Sequence, residues 1–280
     1  MTKLLPTSLR EPRFTAAAAE VYRDALRVLN AEGIPFLVGG AVSMNAHTGV
    51  WRETKDLDVF AREPDVPHIL NALGAAGYEI EVTDPVWLSK AKRGEYFVDV
   101  IHRNANGTGD VSDDWFVNAK PVDLLGEHVL VTPAEESLLS KMFVGFRDRW
   151  DASDILHIVF ATGGDLDWER ILRKAGEHWP LLLSYLNLYL YAYPSHAHYV
   201  PEHVWHTLLS KLHEELAEAS GPREAPFRGT MLDAVSFQVD TNEWGLGPDA
   251  RQTARQGKGT HQGDPLLEAA AAEERRANAG

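Results

Sequence analysis

Between Phe36 and Phe60 the chain reads FLVGGAVSMNAHTGVWRETKDLDVF. A short apolar run ends in a glycine pair, and a second run at helix distance carries two aspartates. Phe36, Leu37 and Val38 read as a buried strand, and Gly39-Gly40 as a tight turn feeding a helix over 41–46. Glycines let a backbone approach an anion closely, and the first N–H groups of a helix point outward with partial positive charge. The turn therefore suits a phosphate. Asp56-Leu57-Asp58-Val59-Phe60 alternates polar and apolar, so as a strand it turns Asp56 and Asp58 to one face, roughly 6–7 Å apart. Carboxylates at that spacing can share divalent cations; the plainer alternative is a solvated strand end.

The chain holds its own control. Asp165-Leu166-Asp167 also follows a glycine pair, Gly163-Gly164. There no helix fits between glycines and acids, and a helical run opens at Trp168, so that copy reads as a helix stop followed by an N-cap. Only the Phe36–Phe60 copy has a strand before the glycines, room for a helix after them and a strand under the aspartates.

These residues resemble the nucleotidyltransferase superfamily with the polymerase-beta-like fold, whose signature is an apolar residue, Gly-Gly or Gly-Ser, a helix, then Asp-x-Asp between apolar residues. Val38-Gly39-Gly40 and Asp56-Leu57-Asp58-Val59 match it, and Arg52-x-Thr54-x-Asp56 is similar to the approach to the acidic pair in the uncharacterised and AbiEii-like toxin branches. Fifteen residues separate Gly40 from Asp56, slightly more than is usual there. The resemblance implies an α/β (α+β) fold, a mixed sheet with flanking helices, followed by a helical C-terminal domain. It also implies a third metal-binding carboxylate on a strand beside the pair. Asp99, inside the apolar run EYFVDVIH, is the candidate; its alternative is an edge-strand aspartate. An aspartate between Val98 and Val100 is costly to bury unless something positive meets it.

Downstream, Lys141 and the run Arg147 to Asp154 look like the lysine, arginine and paired acids of AbiEii-like proteins. A lysine there could hold a triphosphate as a point charge; it could equally be a solvated helix residue. Asp151 and Asp154 read as salt-bridge or capping residues. The resemblance thus gives Asp56, Asp58 and Asp99 as catalytic and metal-binding, holding two Mg²⁺ ions with Mn²⁺ as a substitute. Gly39, Gly40, Arg52, Thr54 and Lys141 form the nucleotide-binding set. The implied reaction is transfer of a nucleoside monophosphate from an NTP to an acceptor hydroxyl on an RNA end such as tRNA, a protein or a small molecule, and it is toxin-like in one branch. The alternative is a catalytically silent module that binds nucleotide or a partner on the same fold.

A formal net charge of −14 argues against broad adhesion to nucleic acid, which relies on Lys and Arg. The clusters Lys90, Lys92, Arg93 and Arg147, Arg149 each read as solvated faces. There is no cysteine, which excludes disulfides and thiolate metal sites. The N-terminus lacks an apolar signal-peptide core, and the longest apolar stretch, 181–193, falls short of the roughly 20 residues of a membrane span. The simplest reading is cytoplasmic, with no membrane partner.

In chain order, 1–11 read as a leader and 12–131 as the nucleotidyltransferase-like domain. Its elements are a helix over 15–31, the strands already named, a helix capped by Asp65, a strand over 78–82, a basic loop or edge hairpin over 87–94, and a last strand over 128–131. Thr132-Pro133-Ala134-Glu135 reads as a capping box opening a helical domain over 132–220. Its final helix carries the stripe Trp205, Leu208, Leu212, Leu216, expected to be buried. His196, His198, His203, His206 and His213 could in principle bind zinc, but no carboxylate cluster completes a site. A packed extension over 221–247 and a disordered tail over 248–280 complete the reading.

Overall fold

A computed structural model describes residues 12–104, 109–146, 149–218 and 226–247. The expected leader and tail lie outside them. The first helix, α1 (Ala16–Ala31), starts where Thr15 Oγ1 accepts the Ala18 N–H at 3.2 Å, a cap that typically contributes about 1 kcal/mol. β1 (Leu37–Val38), α2 (Gly40–Thr48), β2 (Asp56–Phe60) and α3 (Val66–Ala75) follow. Next come β3 (Glu79–Asp84), β4 (Leu88–Arg93) and β5 (Tyr96–Ile101). A short α4 (Asp113–Val117) precedes β6 (Lys120–Leu124) and β7 (Glu127–Val131).

The seven strands form one mixed sheet in the order β3-β4-β5-β2-β1-β7-β6. β2 runs parallel to β5 and β1 parallel to β7, while the other pairings are antiparallel. One face is apolar: Val38, Leu57, Val59, Ala91, Val98 and Val100 pack with Tyr22, Leu26 and Leu29 of α1 and with Ile69 and Leu73 of α3. Period-two alternation then sends Asp56, Asp58, Asp99 and Lys90 to the other face.

The basic stretch 87–94 is not an edge hairpin. It contains β4, an inner strand paired with both β3 and β5, in which Ala91 enters the core while Lys90 and Lys92 lie on the opposite face. β6 had no sequence signal because KPVDL lies on the sheet edge, where Pro121 removes no inner hydrogen bond.

The helical half comprises α5 (Ala134–Lys141), α6 (Ala152–Ala161), α7 (Trp168–Ala175), α8 (Trp179–Ala192) and α9 (Glu202–Glu218), with a short α10 (Gln238–Asn242) in the C-terminal segment. It has a second core of Leu138, Met142, Ile155, Ile158, Leu182, Leu186 and Tyr189. α2 joins the two cores: Val42 enters the first and Met44 the second. The Asp165–Asp167 control behaves as read, with Asp167 accepting the Arg170 N–H at 2.9 Å to cap α7.

Three local expectations fail. Asp65 precedes α3 without a side-chain cap bond, its Oδ2 accepting from Arg62 Nε at 2.7 Å instead. The capping box at 132–135 does not form: Thr132 Oγ1 donates to Ser43 Oγ at 2.8 Å, and Glu135 Oε1 instead accepts the Asp167 N–H at 2.9 Å. Tertiary partners outcompete the local cap. On α9 the buried residues are Val204 and Leu208, while Leu216 is 65% exposed because the core contacts the helix on the side of Val204.

Candidate active site

Gly39 donates its N–H to the Asp58 carbonyl at 2.9 Å, which docks the start of α2 over β2. Gly40, the first residue of α2, has φ +52°, and a Cβ there would overlap Asp58 Oδ2. Glycine is therefore required at this position twice, by backbone and by space. The carboxylate of Asp58 lies beside the positive end of a helix, where negative charge is favoured.

Among the described residues no side chain hydrogen-bonds to that carboxylate. Burial, then the charges of Asp56 and Asp99, push the Asp58 pKa from 3.8 up to about 7, against the opposing pull of Lys141 and Arg149. Some of its surface is open to solvent, yet protein surrounds it closely enough that desolvation leads. Asp56 is steadied by Thr54, whose hydroxyl contacts its carboxylate and also donates to its carbonyl oxygen at 3.2 Å.

Asp99 pairs in register with Asp58 across the parallel β2–β5 ladder and with Lys90 across the antiparallel β4–β5 ladder. Lys90 Nζ donates to both of its oxygens, at 2.7 and 3.0 Å. Burial still raises the Asp99 pKa, opposed by that lysine.

The expected nucleotide-binding set divides. Gly39 and Gly40 adjoin the acid pair, and Thr54 touches Asp56. Arg52 turns to α6 instead, pairing with Asp154 and donating to Ser153 Oγ at 3.1 Å. Lys141 lies close enough to act on Asp58 while its Nζ is held by Asp151 Oδ2 at 2.8 Å and Asp154 Oδ2 at 2.7 Å. Both acids are buried. The Asp151 pKa is lowered, burial being overcome by Arg149 and Lys141.

Two surface cavities lie apart from the acid strand. One of about 540 Å³ is lined by Phe36, Phe116, Pro121 and Leu130; another of about 330 Å³ is lined by Arg62, His102 and Asp113. Neither contains Asp56, Asp58 or Asp99.

Residues 11–193 match the profile of the family described as uncharacterised nucleotidyltransferase. The chain belongs to that family. No curated protein matches it. Among solved structures, the nucleotidyltransferase resembles the antibiotic-resistance factor ANT(2'')-Ia at 13% identity and TM-score 0.45, over 61% of this chain and 96% of that one. It resembles the lincosamide antibiotic adenylyltransferase LnuA at 18% identity and TM-score 0.37, over 52% and 96%. JHP933 from Helicobacter pylori aligns at 10% identity and TM-score 0.36, over 73% and 99%.

Does the donor set of this nucleotidyltransferase fit a divalent cation? Asp56 and Asp58 do: they are hard oxygen donors on one face, and among the described residues no cation contacts Asp58. Asp99 does not join them as a free ligand, since Lys90 engages both its oxygens. Among the described residues no three His, Asp or Glu side chains gather as a metal cluster, at this site or in the histidine-rich segment. In that segment His203 faces Glu169 at 3.3 Å and His206 faces Glu202 at 3.2 Å. His47 is structural, its Nε2 bonded to the Thr132 carbonyl at 2.8 Å.

Three residues near the acids escaped the sequence reading. Lys90 and Arg149 read as solvated, and nothing local reveals that strand pairing brings Lys90, and the connection between α5 and α6 brings Arg149, to the aspartates. Tyr22 of α1 is buried with its hydroxyl unpartnered, and burial followed by Asp56, Tyr96, Asp58 and Asp99 raises its pKa. Among the described residues no helix is long and apolar enough to cross a membrane.

Proposed function

We propose that this nucleotidyltransferase transfers a nucleoside monophosphate from an NTP to an acceptor hydroxyl, with Mg²⁺ or Mn²⁺ held by Asp56 and Asp58. The observation that carries the reading is Asp58 itself, a hemmed-in carboxylate with its pKa pushed up to about 7, resting against Gly40 at a helix start. Such a group is stabilised when a cation arrives. When bound, the cation supplies charge at the phosphoryl oxygens.

The chain's own residues do the rest. The backbone at Gly39 and Gly40 and the positive end of α2 orient the triphosphate. Lys141 and Arg149, held by Asp151, offset charge on the departing pyrophosphate. Thr54 keeps Asp56 aimed along the sheet face. A bond forms between the acceptor oxygen and the α-phosphorus, the α–β bridge breaks, and the acceptor proton leaves to a carboxylate of the site or to solvent. Position and charge are the protein's main contribution.

We divide the chain for this work at residue 131, with the helical part after it forming the acceptor side. The arrangement of Lys141, Arg149, Asp151 and Asp154 favours the AbiEii-like toxin branch, whose acceptor would be an RNA end; a protein or small-molecule hydroxyl fits the same chemistry. A cytoplasmic site of action belongs to this reading. Incubation with labelled NTPs, Mg²⁺ and cell extract should label a single class of acceptor. Absence of label with every NTP, under conditions where nucleotide and metal bind, would favour a silent binding module instead.

A further inference from the structure

We infer that Lys90 stands in the seat of one of the two cations that a site of this kind is expected to hold, so that this chain takes a single divalent ion at Asp56 and Asp58. The inference rests on the proposed metal-dependent transfer and sets its ion count.

The geometry is a row across three strands. Lys90 on β4, Asp99 on β5 and Asp58 on β2 are direct register partners, so their side chains share one face at the usual strand spacing of about 4.8 Å. Lys90 Nζ reaches both Asp99 oxygens, at 2.7 and 3.0 Å, and lies 4.1 Å from the centroid of the Phe97 ring. The ammonium is thus fixed from two sides, by a bidentate carboxylate and by an aromatic face. The side chains of Lys90 and Asp99 are only 20% and 11% exposed, so salt screens them less than a surface pair.

Charge points the same way. Asp56, Asp58 and Asp99 on one sheet face carry three negative charges when ionised, and the ammonium of Lys90 offsets that of Asp99. The two that remain match one divalent ion. A second ion would need the Asp99 oxygens that Lys90 occupies, and hard cations of this class take six or more oxygen ligands. An ammonium offers only donors and leaves no coordination position for substrate. Asp99 is therefore held by Lys90 and supplies no free oxygen to a second ion.

The test counts ions without relying on turnover. The full chain is saturated with a non-hydrolysable NTP analogue and titrated with Mn²⁺, read by equilibrium dialysis and by electron paramagnetic resonance, in which two neighbouring Mn²⁺ ions couple. The native chain should bind one uncoupled ion, Lys90→Arg should do the same, and Lys90→Met should admit a second, coupled ion. Two coupled ions in the native chain overturn the inference while leaving the transferase reading intact. One ion in both native chain and Lys90→Met also overturns it, because Lys90 would then exclude nothing. If Lys90→Met does not fold, the native and Lys90→Arg counts decide alone. No bound Mn²⁺ in any form removes the metal-dependent reading, and the inference falls with it.

Discussion

Two pairs of aspartates lie near Lys141 and Arg149, and the surroundings of Asp58 and Asp151 shift their pKa values in opposite directions. Asp151 and Asp154 are buried and wrapped in cations: Lys141 touches both, Arg149 binds the first and Arg52 the second. The Asp151 pKa falls accordingly. Asp58 is hemmed in by protein, shares its face with two further carboxylates and is contacted by no cation among the described residues, and its pKa rises to about 7. One pair is complete within the chain, and the other awaits a charge from outside. On the proposed reading the same residue type is a brace in one place and a binding group in the other, and the neighbouring cations distinguish the two.

Breaking the brace should have the largest effect. Asp154→Asn removes the carboxylate shared by Lys141 and Arg52 and leaves Lys141 with Asp151 alone, at about 1.5–3 kcal/mol of stability. Denaturant unfolding at neutral pH measures it, and a loss below about 1 kcal/mol, the range of exposed pairs, would erase the distinction between the two pairs. The pH dependence follows from the lowered Asp151 pKa. That contribution is present above its unfolded value of about 4 and is lost as pH falls through the folded value.

A middle-sized effect is expected at the join between glycine and acid. Gly40→Ala forces a Cβ into the Asp58 carboxylate and an L-residue into left-handed backbone, the latter at about 1–2 kcal/mol. Nucleotide binding should drop more than stability does, as followed by titration of a fluorescent NTP analogue against thermal melting. Parallel and equal losses would mean that Gly40 serves the fold alone.

The smallest effect sharpens the comparison from its exposed rim. Arg52 has a half-exposed side chain, so Arg52→Ala should cost about 1 kcal/mol or less and leave NTP affinity nearly unchanged. A large loss of NTP affinity would instead place Arg52 in the nucleotide-binding set despite its contact with Asp154.

How much of this can be read without coordinates depends on how local the signal is. The strand, glycine pair, helix and Asp-x-Asp strand are legible because each step is encoded within a few residues, and the Asp165–Asp167 control is rejected on the same local grounds. Asp99 is legible because an aspartate within YFVDVI breaks an apolar run. β4 is not: LSKAKR has no β-branched residue and reads as a basic loop, and its strand character comes from pairing on both sides. For the same reason Lys90 looks solvated in sequence and is mostly buried in the fold. The capping box fails because Ser43, some 90 residues away, competes for Thr132. Contacts of this range are set by topology, and a linear pattern does not carry them.

The central claim, that Asp58 is held ready for a cation and is no structural brace, is tested most directly by Asp58→Asn, melted with and without Mg²⁺ and NTP across pH. A folded pKa of about 7 lies above the unfolded 3.8. Stability from protonated Asp58 is therefore full below about pH 4, is lost as pH rises toward 7 and is absent above it. The Asn variant cannot ionise, so without metal it should lack that loss and be at least as stable as the parent at pH 7. It should also show no stabilisation by Mg²⁺ with NTP, whereas the parent should. A variant destabilised by about 3–5 kcal/mol without metal, as expected for breaking a buried ion pair, or one that keeps the full response to metal, would contradict the claim.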